Sequence, residues 1–166
     1  MSRASRAAIL AEELVRILAA GNMNMAAAES CTAGLASDCI ARIPGASKAL
    51  WGSFVCYTAD AKEKMLGVSE SLIREFGVVS EPVALAMAEG ALGKSGASWA
   101  FSVTGFAGPG GDSAGVVPVG TVWIGIAGRN IKTRAKKFLF PGSRSDVREA
   151  AAMAALGELL ETVRGI

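Results

Sequence analysis

The 166-residue sequence contains no histidine. That absence removes every Ser-His and Cys-His mechanism of nucleophilic catalysis and the zinc sites that depend on imidazole. Cysteine is scarce as well. Cys31, Cys39 and Cys56 are odd in number and have no CxxC spacing, so free thiols in a reducing compartment are expected, with no thiolate metal cluster. Tyrosine occurs once, at Tyr57. Charged residues make up only 19% of the chain, and the 17 lysines and arginines exceed the 15 acids without forming a basic tract. A nucleic-acid groove needs such a tract, so no nucleic-acid partner is expected. No run is apolar over the roughly 18 residues that indicate a membrane span. The alanine-rich start contains Glu12, Glu13 and Arg16 and lacks a clean signal-peptide core. The expectation is a soluble cytoplasmic protein with no membrane partner, no metal and no cofactor. If it is an enzyme, its proton shuttles must be lysine, tyrosine or carboxylates.

What is present is largely apolar: 51% of the residues are hydrophobic. That content and length predict one domain over residues 1–166, with no linker or internal repeat. Leu10, Leu14, Ile17 and Leu18 recur at helical spacing and predict a helix over 4–20, stopped by Gly21 and Asn22. A strand at 24–28 and a helix from Thr32 to Arg42 follow. The stretch "ALWGSFVCY" at 49–57 reads as a buried strand. Short helices are predicted at 59–66 and 69–76, and a longer one begins at Ser80 and Pro82 and ends near Gly93. Residues 98–104 form a core strand that runs into a glycine-dense loop at 105–118. Strands at 119–127 and 131–140 are joined by a tight "GRN" turn. The last helix spans 145–163, with Asp146 and Glu149 as a candidate capping box. Helices alternating with strands early and a hairpin late imply an α/β fold, a mixed sheet covered on both faces.

Four stretches could carry chemistry. In "AAAESCTAG" (26–34) a strand of small residues runs into Ser30, Cys31 and Thr32 just before a helix. The hydroxyl there is either an ordinary N-cap or a nucleophile beside unpaired N–H groups; Cys31 is the rival nucleophile. In "CYTADAKEKMLG" (56–67), Tyr57 ends a strand and Lys62 lies in the next helix, where desolvation would depress its pKa and make it a base. Solvated lysines need no such role, and Lys64 is the obvious comparison. In "VTGFAGPGGDSAG" (103–115) a strand opens into glycines whose N–H groups can cradle a phosphate, although neither the P-loop nor the dinucleotide fingerprint is matched. In "FLFPGSRSDVRE" (138–149), Arg144 and Arg148 open a helix against its dipole. Each binds either an anion or a neighbouring acid such as Asp146 or Glu149.

Taken together, "AESCTAGL" (28–35), "YTADAK" with "LGV" (57–68), "VVSE" (78–81), "TGFAGPGG" (104–111), "PVGTVWI" (118–124) and "FPGSR" (140–144) form an ordered set over roughly residues 8–162. The chain thereby resembles the C-terminal domain of the competence/damage-inducible CinA proteins, the nicotinamide-nucleotide amidohydrolases. The resemblance implies a three-layer α/β/α sandwich with a five-stranded mixed sheet. It also implies hydrolysis of the carboxamide of nicotinamide mononucleotide to nicotinic acid mononucleotide and ammonia. Ser30 would be the nucleophile and Tyr57 and Lys62 its activators; Thr104 and Arg144 would belong to the pocket. Backbone N–H groups at Cys31 and Thr32, or at Gly105, Gly108, Gly110 and Gly111 in the loop, would hold the oxyanion and the phosphate. The family pattern usually has asparagine where Ala59 stands and lysine at Val117. The first difference bears on rate and the second on substrate affinity. The competing expectation is a catalytically weak nucleotide-binding or competence-related regulatory relative. A homo-oligomer is the expected assembly.

Overall fold

The strand Met25–Glu29 (β1) reads MAAAE, and all five residues are buried. Small side chains suit a central strand with a helical layer on each face. In the computed structural model, which describes residues 3–112 and 115–165, β1 lies between Leu50–Val55 (β2) and Trp99–Gly105 (β3), parallel to both. Thr121–Gly128 (β4) runs antiparallel to β3, and Ile131–Leu139 (β5) antiparallel to β4. The sheet order is β2-β1-β3-β4-β5. This is a mixed five-stranded α/β fold.

Period-two alternation divides the core between two layers. Met25, Ala27, Phe101 and Val103 face the helices Arg3–Ala20 (α1), Leu35–Ala41 (α2) and Arg144–Arg164 (α6). Ala26, Ala28 and Ala100 face Ala59–Leu66 (α3), Glu70–Phe76 (α4) and Glu81–Ser95 (α5). Two close approaches set the second layer. Ser102 Oγ donates to the Ala84 carbonyl at 2.6 Å, and a Cβ at Gly125 would sit 2.6 Å from that same oxygen. A Cβ at Gly90 would collide with the Leu66 carbonyl, so the glycine lets α3 lie directly against α5. No helix among the described residues is long and apolar enough to cross a membrane.

Three local expectations are corrected. Helix α2 begins at Leu35, not Thr32, because Ala33 (φ 51°) and Gly34 (φ 93°) are left-handed and cannot join a right-handed helix. The capping box of α6 is Ser143 with Asp146, not Asp146 with Glu149: the Asp146 carboxylate accepts from the Ser143 N–H at 2.9 Å. Ser80 occupies the N-cap position of α5, but its hydroxyl donates to the Gly77 carbonyl at 3.0 Å instead of capping.

Candidate active site

The parallel strands β1, β2 and β3 end on one edge of the sheet, the edge at which α/β proteins place their ligands. Ser30 follows β1, Tyr57 follows β2, and Thr104-Gly105 closes β3. These residues line one cleft of about 330 Å³, together with Cys31, Ala59, Lys62, Gly108, Gly110 and Arg144. Thr32 and Gly111 do not line it. A groove of about 390 Å³ among α1, α2 and α6 contains none of the sequence-identified site residues.

At the cleft floor, Lys62 Nζ is 2.9 Å from Ser30 Oγ and donates to the Cys56 carbonyl at 3.2 Å. Lys62 is only 1% exposed. Neither contact is a carboxylate, so nothing there compensates a buried ammonium. Burial accordingly pulls the Lys62 pKa below its usual 10.5, against the opposing pull of the nearby thiols Cys56 and Cys31. An amine with a depressed pKa beside a hydroxyl can take that hydroxyl's proton. Cys31, the rival nucleophile, is disfavoured as a thiolate. Burial pushes its thiol up to about 11, which leaves roughly one thiolate in 10⁴ at neutral pH.

Ser30 is not an N-cap. The amides at the start of α2 are gathered instead by the buried carboxylate of Glu29, which accepts from Gly34 N–H (3.0 Å), Ala36 N–H (3.1 Å), Ser37 N–H (2.9 Å) and Ser37 Oγ (2.6 Å). The helix terminus is satisfied from inside, and the Ser30 hydroxyl is left to Lys62. Glu29 lies inside the "AAAESCTAG" stretch without a role legible from local pattern. A carboxylate just upstream of a candidate helix start was the available signal. Arg148 also differs from both expectations for it: Nε donates to the Cys31 carbonyl at 3.0 Å and Nη2 to the Thr32 carbonyl at 2.9 Å.

At the mouth, Arg144 donates through Nη1 to the Gly108 carbonyl at 2.7 Å and through Nη2 to the Tyr57 hydroxyl at 2.5 Å. Tyr57 is half exposed, and its hydroxyl meets Arg144, not Ser30 or Lys62. Thr104 is buried, and its hydroxyl donates to the Val78 carbonyl at 2.8 Å, holding the segment before α5 against the strand end. Lys64 points outward and pairs with Asp60.

Comparison with known proteins gives the fold a lineage. The CinA C-terminal domain model matches residues 7–163. The chain belongs to the CinA family. It is 45% identical over 157 residues to a CinA-like protein of Akkermansia muciniphila, covering 95% of this chain and 38% of that protein. It is also 44% identical over 155 residues to a CinA-like protein of Mycobacterium tuberculosis, covering 93% and 36%. The chain thus spans well under half the length of these CinA relatives. The crystal structure of the competence/damage-inducible protein CihA from Agrobacterium tumefaciens superposes with a TM-score of 0.91 at 36% identity, covering 96% of both chains. A CinA superfamily protein from Escherichia coli gives 0.88 at 32% identity, covering 92% of this chain and 88% of that one.

Proposed function

We propose that the cleft is a metal-independent amidohydrolase site that converts nicotinamide mononucleotide to nicotinic acid mononucleotide and ammonia. The observation carrying the chemistry is the 2.9 Å contact between Ser30 Oγ and a buried Lys62 amine with a depressed pKa. In the neutral amine, the Ser30 hydroxyl donates to Nζ while Nζ keeps its bond to the Cys56 carbonyl, which fixes the direction of the lone pair. Oγ attacks the carboxamide carbon as its proton passes to Lys62. The tetrahedral oxyanion collapses, the C–N bond breaks, and the Lys62 ammonium returns the proton to the departing nitrogen, releasing ammonia. Water then attacks the nicotinoyl ester, with Lys62 taking its proton and handing it back to Ser30.

The substrate class is supported by the cleft's charge. With Lys62 as the neutral amine, Arg144 is the one charged residue lining it among the described residues, and no carboxylate among them lines it. Such a surface favours an anion such as a ribose 5′-phosphate near Arg144 and the glycine loop. The volume is in the range of small-molecule sites. The cationic pyridinium of this substrate would further favour the neutral form of Lys62.

Incubation of the purified protein with nicotinamide mononucleotide, with enzymatic detection of ammonia, tests the proposal, with Ser30→Ala as the blank. No ammonia from the wild-type protein would remove the activity. A second reading, a nucleotide-binding relative with little turnover, draws on Tyr57 bonding to Arg144 instead of the dyad and on the absence of a polar side chain at Ala59. Nucleotide binding in calorimetry without ammonia release would favour it; neither binding nor release would favour an interaction module.

A further inference from the structure

The turn that follows Ser30 is held almost completely through its backbone. Ser30 N–H donates to the Val103 carbonyl at 2.9 Å, and the Ser30 carbonyl accepts from Ala33 N–H at 3.0 Å. Glu29 takes the amides of residues 34, 36 and 37. The two carbonyls between them, those of Cys31 and Thr32, are both bound by Arg148. A planar guanidinium offers two donors in a fixed relation, which suits a pair of adjacent acceptors in a way an ammonium cannot match.

In a trans peptide the C=O and the N–H of the same unit point to opposite sides. Arg148 draws the Cys31 carbonyl towards α6, so the Thr32 N–H points away from α6. The Ser30 carbonyl is tied back to Ala33, which leaves the Cys31 N–H on the opposite side of its peptide unit. Neither N–H has an acceptor among the described residues, although both belong to a turn with almost no exposure at residues 30–32. Buried N–H groups without acceptors are rare, and beside a nucleophile they mark the place where negative charge develops.

We propose that Arg148 is a positioning residue of this site: by holding the Cys31 and Thr32 carbonyls it fixes the turn that carries Ser30, so that the N–H of Cys31, a residue of the cleft wall, faces the oxyanion formed when Ser30 attacks. The inference rests on Ser30 being the nucleophile. It does not depend on which amide is cleaved.

A fluorophosphonate probe tests it without assuming the substrate. Ser30 Oγ forms a bond to phosphorus, the P–F bond breaks, fluoride leaves, and Lys62 takes the hydroxyl proton; the phosphoryl oxygen needs the same N–H donor. Removing one such donor typically costs about 10² to 10³ in rate. For Arg148→Lys, which keeps the charge and loses the fork, the expected result is a maximal labelling rate at least about tenfold lower. The apparent probe affinity should stay within about threefold of wild type. In Arg148→Ala, millimolar guanidinium should restore part of the rate. A smaller loss, a loss confined to affinity, or no rescue in a folded Arg148→Ala protein overturns the positioning role. Should Arg148→Ala not fold, the rate and affinity of Arg148→Lys decide alone. Ser30→Ala must remain unlabelled. An unlabelled wild type, or a labelled Ser30→Ala, instead removes Ser30 as the nucleophile and identifies that earlier reading as the one that failed.

Discussion

At the floor of the cleft, Lys62 is 1% exposed and its amine meets only a hydroxyl and a carbonyl; at the rim, Tyr57 is 50% exposed and its hydroxyl meets the exposed Arg144 guanidinium. The two regions respond to solvent in opposite ways. Buried polar groups are held by partners that water cannot replace, so losing one exposes the full desolvation cost of the other. Rim contacts exchange readily with water or a ligand and contribute little to stability. Activation of a nucleophile therefore belongs to the floor, and ligand selection to the rim. Floor substitutions should act on kcat, rim substitutions on KM.

The largest effect should come from Ser30→Ala, which removes the attacking atom. Ammonia release should fall to background while nucleotide affinity in calorimetry stays within about threefold, since only a small hydroxyl leaves a site lined by small residues. Residual turnover in Ser30→Ala that disappears in Cys31→Ala would transfer the nucleophile to the thiol.

Lys62→Met keeps much of the stem and removes the base. Turnover should drop by about 10² to 10⁴, with Lys64→Met unchanged as the control on the same helix. The pH profile gives a sharper test. Activity needs the neutral amine, so kcat/KM of the wild type should rise with pH through the depressed Lys62 pKa, below its usual 10.5. Stability carries the same signature. Between the depressed folded value and the unfolded value, the unfolded chain binds more protons, so Lys62 makes stability increase with pH. The raised thiol pKa values of Cys31, Cys39 and Cys56 act in the opposite sense at the alkaline end. Cys39 cancels when denaturation midpoints of wild type and Lys62→Met are subtracted, whereas Cys31 and Cys56 feel Lys62 directly, so the difference is read below the pH at which thiols titrate. A difference that is flat with pH would show that Lys62 is not shifted.

Glu29→Gln tests the floor's scaffold. The amide is nearly isosteric, but its NH₂ cannot accept from the α2 amides that the carboxylate now gathers. A loss of about 1–3 kcal/mol in urea denaturation is expected, together with a fall in kcat as the Ser30 turn loosens. Unchanged stability would mean that the turn does not depend on this carboxylate.

The floor was legible in the sequence only as far as local pattern reaches. The small residues of "AAAESCTAG" identified a strand running into a hydroxyl, and the spacing from Tyr57 to Lys62 identified a lysine on the following helix. That Lys62 bends back 32 positions in sequence to meet Ser30 is a product of β1 and β2 lying side by side, and no local period carries that information. The same holds for Arg148, whose acceptors lie in a turn over a hundred residues earlier. Backbone carbonyls have no sequence identity, so an arginine that binds them reads as an arginine seeking an acid. The late start of α2 was missed because Ala33 takes a left-handed conformation that alanine rarely adopts. The order of helices and strands was legible throughout, since it depends on periodicity and on glycine and proline stops.

At the rim, Arg144→Ala should raise KM for a nucleotide amide by about tenfold and leave kcat within about threefold, the pattern of lost uniform binding. A substrate lacking the phosphate should be insensitive to the substitution. If kcat falls instead, Arg144 acts on the reacting centre and the division between floor and rim fails.

The smallest change should follow Tyr57→Phe, and it decides which region Tyr57 belongs to. The ring remains, half exposed, and only the hydroxyl bonded to Arg144 at 2.5 Å is lost. If the tyrosine merely orients that guanidinium, KM should rise about two- to fivefold and kcat should be unaffected, because an exposed hydrogen bond is readily replaced by water. If it relays the Ser30 proton, as the activating role implied by the family resemblance allows, kcat should fall as far as it does in Lys62→Met, and the solvent isotope effect on kcat should change with it. The geometry favours the first outcome, since Lys62 already touches Ser30 directly and needs no intermediary. Measuring kcat and KM separately for Tyr57→Phe, beside the double variant Tyr57→Phe/Arg144→Ala, resolves the matter. Purely orienting action requires that the double variant be no worse than Arg144→Ala alone, because a hydroxyl that acts only through a guanidinium has nothing to act on once that group is gone.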